Sequence, residues 1–368
     1  MDIHAHSPIH FGLIFGNALL PQSNHRRDCS AGGNLARDCN SAYHRSRVNN
    51  PNQAENSAQA PPIIAIVGPT ASGKSTLGIE LALRLGGEII NCDSVQVYRD
   101  IQIATAKVPL EERRGVPHHL IDFVSPAINF TAADWAREAE KTIAEIEERG
   151  NIAILVGGTG FYLRALRQPF FPSPPTDERL RARLTRIRER HGAEHLHAIL
   201  KRFDESEAAN FSPKDWPRVQ RAIEFYLQTG EPISAHRPLR EAPGEHAGRI
   251  RVFALNPPRD ELYARINRRT AEHFASGLVE EVLKLLDEGV PANSNALGAH
   301  GYRRVVEHLR GERDLAGAIE QTRLDVRHYA KRQLTWFRRE PGVQWLDRFG
   351  DEPEAVNELL NLLQGANT

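Results

Sequence analysis

An α/β protein is what this sequence predicts: a parallel β-sheet core interrupted by a mostly helical insertion. Three observations carry that reading. IIAIV at 63–67 is a short unbroken apolar run, as a strand covered on both faces of a parallel sheet requires; EIINCD at 88–93 reads as the next strand and IAILV at 152–156 as a third buried one. Helical patterns separate them, which gives a doubly wound sheet. The texture then changes at PFFPSPP, residues 169–175. This is a breaker cluster, and beyond it residues 176–230 are helical in pattern and rich in Arg, Glu and Ala.

Order begins at Pro61. The first helix follows a Gly-rich turn, carries Leu77, Leu81 and Leu85 at four-residue spacing, and stops at Gly86-Gly87, a good C-terminal signal. A second helix spans 131–149, opened by the capping-box pattern Thr131-x-x-Asp134 and closed by Gly150. The IAILV strand ends in Gly157-Gly158-Thr159-Gly160. After the insertion, a polar loop covers 231–248. RIRVFAL (249–255) returns to the sheet, helices follow to about 340, and VQWLD (343–347) reads as a last strand. The core therefore comprises 61–169 and 249–348, the insertion 170–248, and a C-terminal tail 349–368. Residues 1–60, rich in Asn, Ser, His, Arg and Ala without a sustained period, are expected to be a disordered extension.

Composition sets bounds. The chain has 368 residues, with Lys+Arg and Asp+Glu equal at 47 each. A zero total gives no hint of nucleic acid, so the distribution of charge must decide. Three cysteines, Cys29, Cys39 and Cys92, are too few for a disulfide framework, and a reducing cytoplasm is the natural home. No run of about 18 apolar residues is present, so no membrane span is expected. The apolar patch FGLIFGNALL lacks a basic region before it, which argues against a signal peptide. Cys29 and Cys39 with His25 and His44 do not have the two-to-four-residue spacing of zinc ligand pairs. They are read as part of a solvated tail.

The strongest chemical signal is GPTASGKS: Gly68, Pro69, Thr70, Ala71, Ser72, Gly73, Lys74 and Ser75. It fits G-x-x-x-x-G-K-[ST] in full, follows a predicted strand and opens a predicted helix. The glycines let the backbone wrap an anion, whose charge meets N–H groups at a helix N-terminus. Lys74 supplies a point charge, and Ser75 can hold Mg²⁺. A nucleoside triphosphatase normally ends a second buried strand in an acidic residue that supports Mg²⁺. Here IAILV ends in GGTG, and Asp93 ends the EIINCD strand instead. Two options stay open on this pattern: a kinase, or a transferase whose substrate carries the diphosphate.

Further segments follow in order: CDSVQVYRDIQIATAK (92–107), GVPHHLID (115–122), LVGGTGFYLRAL (155–166), RVQRAIE (218–224), AHGYRR (299–304) and YAKRQLTWFR (329–338). Together with GPTASGKS this set closely resembles the bacterial-type tRNA dimethylallyltransferases, also called tRNA isopentenyl transferases, from about Pro62 to Asp347. The resemblance implies a P-loop NTPase-like core with a helical insertion. It also implies transfer of a dimethylallyl group from dimethylallyl diphosphate to N6 of adenosine 37, next to the anticodon. The P-loop would then hold the allylic diphosphate, with Mg²⁺ as cofactor. The implied partner is the tRNA anticodon stem-loop, with no membrane and a monomeric state.

The resemblance also assigns roles. Asp93 matches the catalytic base; its alternative role is a turn cap. Arg269, in RINRRT, matches the diphosphate arginine; its alternative is a solvated helix face. Asp93, Ser94, Val95 and Gln96 match the segment that touches tRNA, and Gln96 is placed to read an adenine edge. Thr159 and Arg181 match further tRNA contacts, and Thr159 can instead be a helix cap. Arg218 and Arg221, Gly301, Tyr302 and Arg303, and Lys331, Arg332, Gln333 and Arg338 complete the expected tRNA surface.

Arg323, Arg327, Lys331 and Arg338 line one side of a basic helix as a candidate phosphate rail. A second basic cluster spans 179–190. Tyr302 and Trp336 are candidate base-stacking rings, with Trp336 the better core residue. His118 and His119 are read as structural. Ala104 stands where the family usually has Gly, and Arg304 where it has Glu or Gln. The rival readings are a P-loop small-molecule kinase, isopentenyl transfer to free adenosine nucleotides, and a non-catalytic RNA-binding protein.

Overall fold

A computed structural model describes residues 61–168, 170–171, 173–240 and 243–365. The expected disordered stretch 1–60, with Cys29, Cys39, His25 and His44, lies outside these residues. Six parallel strands form one sheet in the order β3-β2-β4-β1-β5-β6. They are β1 (Ile63–Val67), β2 (Gly87–Asn91), β3 (His118–His119), β4 (Ile152–Gly157), β5 (Ile250–Leu255) and β6 (Val343–Leu346).

The unbroken apolar runs have the cause expected of them. In β1, Ile63, Ala65 and Val67 face one helical layer while Ile64 and Ile66 face the other. Each fully buried Ile or Val in such a strand contributes about 1.5–3 kcal/mol. One layer contains α1 (Lys74–Leu85) and α12 (Pro353–Gly365). The other contains α2 (Ala132–Glu148), α3 (Gly160–Arg167), α9 (Leu278–Asp287) and α10 (Tyr302–Leu309). The helices α8 (Arg259–Ala275) and α11 (Leu315–Phe337) pack on each other through Leu262, Ile266 and Ala330. The capping box of α2 is present: the Thr131 hydroxyl accepts from the Asp134 N–H, and the Asp134 carboxylate accepts from the Thr131 N–H.

The insertion consists of α4 (Glu178–His191), α5 (Ala193–Phe203), α6 (Glu205–Asn210) and α7 (Trp216–Thr229). It has its own core of Leu184, Leu196, Leu200, Val219, Ile223 and Phe225. The C-terminal segment differs from its expected form. Instead of a tail, its described residues form α12, which buries Ala355, Val356 and Leu359 beside Leu77 and Leu81 of α1.

The sheet determines where a site can lie. The loops after β1, β2 and β4 all leave the carboxyl edge, where open α/β sheets bind ligands. These three are the P-loop, the Asp93 turn and the GGTG turn. Gly157 brings the last two together: a Cβ there would lie 2.0 Å from the Cys92 carbonyl oxygen. Only glycine allows that approach.

Candidate active site

The P-loop runs from the end of β1 into α1. Its helix, α1, begins at Lys74 with Gly73 as N-cap, no side-chain cap and no acidic residue in the first turn. The first-turn N–H groups are therefore left without side-chain acceptors at the positive end of the helix. Lys74 Nζ donates to the Pro69 carbonyl at 2.6 Å, closing the loop on itself. Burial pushes the Lys74 ammonium down to about 8, with Asp93 opposing that shift and Arg269 adding to it. Ser72 is wholly buried, and the Gly350 N–H donates to its carbonyl at 2.8 Å. The segment read as a tail thus braces the back of the phosphate loop.

Two cavities meet at this loop. One, of about 360 Å³, is lined by residues 70–76 with Lys107, Glu112 and Arg269. The other, of about 540 Å³, is lined by Val95, Phe130, Tyr162, Phe274 and Leu278 among others. Thr70, Ala71, Asp93, Thr105 and Arg269 line both. Asp93 and Arg269 therefore stand between a polar compartment beside the P-loop and a larger, more apolar one. Arg269 is not on a solvated helix face. Burial disfavours its charge, and the Asp93 carboxylate opposes that effect.

Asp93 takes the turn-capping role that the sequence offered it. Its Oδ1 accepts from the Val95 N–H at 2.9 Å and the Gln96 N–H at 3.4 Å, capping the turn. Thr159 is the N-cap residue of α3, yet its side chain makes no cap bond there. Its hydroxyl instead accepts from the Ser94 N–H at 2.9 Å and donates to the Ser94 hydroxyl at 3.3 Å. Gln96 donates to the Thr105 and Ala106 carbonyls, so its amide N–H groups serve the loop rather than an adenine. Ser94 and Val95 line the larger cavity.

Two of the expected tRNA contacts require correction. Tyr302 is wholly buried; its hydroxyl donates to Glu281 and accepts from the Ala104 N–H at 3.3 Å. It cannot stack on a base. Gln333 is 5% exposed. Its Oε1 accepts from the Thr70 N–H at 2.9 Å, and its Nε2 donates to the Gly158 carbonyl at 2.9 Å. It is a staple between the phosphate loop and the GGTG turn.

Replacing Gln333 with Ala leaves the buried Gly158 carbonyl unpaired, at about 1–3 kcal/mol, and frees the part-buried Thr70 N–H. The expected result is a loss of about tenfold or more in diphosphate affinity together with a lower Tm. Calorimetric titration of the variant with diphosphate measures the first effect, and unchanged affinity would remove Gln333 from this role.

The remaining basic positions divide. Arg181 makes two hydrogen bonds, at 2.9 and 3.0 Å, to Glu224, which is 1% exposed. Its guanidinium is committed to neutralising a buried carboxylate. Arg221 donates to the Pro174 carbonyl at 3.0 Å. Arg218 and Arg303 are exposed; Arg218 pairs with Asp215, the N-cap of α7, and Arg303 with Glu307 on α10. Arg323 and Arg327 both lie near Glu320. Lys331 and Arg332 are exposed on α11 and Arg338 at its C-cap, and Gly301 lines the larger cavity. His118 and His119 are structural, His119 lying 2.6 Å from Glu88. Arg304 pairs with Asp325 and Glu307.

Several lining residues escape a reading of the sequence alone. His273 follows Arg269 by one turn, and burial, then the Arg269 charge, brings it down to about 4. It offers the cavity a neutral imidazole. Its i+4 spacing from Arg269 was an available signal. Tyr329 is raised by burial and by the Asp93 charge, and its ring lies 4.8 Å from that of His300. Phe161 lines the same cavity. It follows the GGTG turn directly.

Known proteins are similar to this chain in sequence and in fold. The family model described as "IPP transferase" matches residues 96–340. The tRNA dimethylallyltransferase of Solibacter usitatus is 48% identical over 293 residues, covering 80% of this chain and 95% of its own. That of Geobacter metallireducens is 46% identical over 303 residues, covering 82% and 96%. Among solved structures, the full-length tRNA isopentenylpyrophosphate transferase of Bacillus halodurans superposes with a TM-score of 0.61 at 39% identity, covering 83% of this chain and 96% of that one. A eukaryotic dimethylallyltransferase described as acting on tRNA gives a TM-score of 0.70 at 27% identity, covering 83% and 79%. The chain belongs to the IPP transferase family, that of the tRNA dimethylallyltransferases.

Proposed function

We propose that this protein transfers a dimethylallyl group from dimethylallyl diphosphate to N6 of adenosine 37 in tRNA, releasing diphosphate. The observation that carries the reading is the position of Asp93 and Arg269 at the boundary of two cavities. The diphosphate sits in the smaller compartment, against the P-loop amides, Lys74 and Arg269. The allylic carbon then lies at the junction, and the adenine enters from the larger compartment after leaving its stack.

As the C–O bond to diphosphate breaks, negative charge grows on the leaving oxygen. Preorganised cations and N–H donors stabilise that charge where it develops. The exocyclic amine of adenine is a weak nucleophile, so a base that takes its proton during attack assists. Asp93 has one carboxylate oxygen engaged in the turn and is fixed by it. It is the group placed to accept that proton.

Mg²⁺ fits this site in one way. Among the described residues there is no cluster of three or more His, Cys, Asp or Glu that could hold a metal. Ser75 lines the phosphate compartment, and Mg²⁺ commonly takes few protein ligands, with substrate phosphates and waters supplying the rest. Ser75 would hold the ion, which supplies added positive charge to the diphosphate.

The Lys74 shift has a consequence for binding. Diphosphate favours the ammonium, so the bound complex holds the proton to higher pH than the free protein. Below pH about 8 Lys74 is already charged and contributes no pH dependence. Above it, binding requires proton uptake, and log Kd for dimethylallyl diphosphate is expected to rise by up to about one unit per pH unit. Titration calorimetry across pH 7–9.5 measures the slope, and Lys74→Met should abolish it.

The reading is tested by incubating the protein with Mg²⁺, dimethylallyl diphosphate labelled in its allyl group, and either unmodified tRNA or AMP. Label in tRNA supports the proposal. Label only in AMP identifies a free-nucleotide enzyme, and no transfer to either defeats the proposal.

A further inference from the structure

Phe161 combines two properties. It lines the cavity that contains Asp93, and it is 49% exposed. A residue that does both stands at the rim. Isolated exposed apolar side chains are ordinary and need no explanation. This ring differs in how it is braced. Trp336 meets it nearly at right angles, with centroids 6.3 Å apart and an interplanar angle of 85°. Phe170 supports it at 5.2 Å.

Trp336 is itself held tightly. A Cβ on Gly160 would lie 2.2 Å from its indole, so glycine is what lets the two elements close. The Arg164 guanidinium covers the indole at 4.3 Å and pairs with Glu340 at 2.9 Å. The result is a rigid aromatic ring, presented to solvent and fixed through Trp336 to α11. That helix carries exposed Arg332 one turn before Trp336, next to exposed Lys331.

We propose that Phe161 is a stacking platform for a nucleobase of the substrate RNA, one that neighbours the adenosine drawn into the cavity. The proposal rests on the tRNA reading above. Flipping one base exposes a face of its neighbour, and an aromatic ring at the rim replaces the lost stack. Adjacent cations favour a polyanion over an apolar chain as the occupant. Stacking on an aromatic side chain accepts any base, since each has a π-face. Phe161 thereby holds the loop open while Asp93 meets the flipped adenine.

The test uses the full protein and an unmodified tRNA anticodon stem-loop, with 2-aminopurine in place of the base next to adenosine 37. Three variants are compared: Phe161→Leu, Phe161→Ala and Phe161→Tyr. Leu and Ala are expected to weaken RNA binding about tenfold or more, while Tyr restores it. The KM for dimethylallyl diphosphate should not move. The slope of log Kd against log salt should also hold, because no phosphate contact is lost. Quenching of 2-aminopurine on binding should persist with Phe and Tyr and vanish with Leu.

Wild-type RNA affinity and quenching in Phe161→Leu would overturn the proposal. So would an effect confined to the donor KM, which would make Phe161 a cover for the prenyl chain. Failure of the unaltered protein to bind the RNA at all would instead defeat the tRNA reading beneath it.

Discussion

Replacing Asp93 with Asn is expected to lower kcat by about 10²–10⁴-fold, the range a positioned general base supplies, while tRNA affinity stays within a few-fold of normal. Asn keeps an oxygen that can accept from the Val95 and Gln96 N–H groups, so the turn survives and only the proton acceptor is lost. Asp93→Ala removes the cap as well, at a further cost of about 1 kcal/mol in stability. Comparing the two variants separates base from cap. The Asn variant has a second signature. The Asp93 charge opposes the lowering of Lys74, so its removal should move the Lys74 titration below pH 8. Single-turnover kinetics with saturating substrates measure the first effect, and near-normal turnover in Asp93→Asn would end its assignment as base.

Arg269→Ala is expected to cost about 10²–10³-fold in kcat, the usual effect of removing one preorganised donor from a developing anion. The KM for tRNA should change little if the Arg269 charge acts, as proposed, on the diphosphate. His273 reports independently on the geometry. The Arg269 charge is one cause of its depression to about 4, so the His273 titration should move upward in the variant. NMR of the imidazole measures that shift. An unchanged rate would place Arg269 outside the leaving-group site.

The chemistry-bearing loops were legible because their residues need particular backbone. A Gly-rich loop between strand and helix has few other uses, and Asp93 follows a strand at the edge where ligands bind. The central strands β1 and β4 were legible from the apolar runs IIAIV and IAILV. What was misread is side-chain direction on helices. Gln333 lies in a basic segment and reads as surface, yet Ala330, Gln333 and Phe337 share one helical face and all three are buried. Tyr302 precedes Val305 and Val306 at helical spacing, and all three are buried together. In both cases the apolar stripe, rather than the motif, decided burial. The segment after residue 349 failed for a related reason: Ala355, Val356 and Leu359 form a short stripe that is easily taken for the end of a chain.

The pairing of Gly157 with Cys92 and the Gln333 staple were not legible at all. Both join segments far apart in sequence, Gln333 reaching Thr70 and Gly158, and spacing along the chain carries no record of such contacts. They nevertheless fix the distance between the phosphate loop and Asp93, and with it the geometry of the transfer.

The central claim is that this P-loop accepts a departing diphosphate and does not position a γ-phosphate for transfer. Diphosphate release measured alongside allyl transfer to tRNA, with no nucleoside triphosphate present, tests it directly. One diphosphate should be released for each dimethylallyl group attached, with Lys74 and Arg269 variants slowing both equally. A requirement for ATP, or phosphate released from ATP in step with tRNA modification, would contradict it.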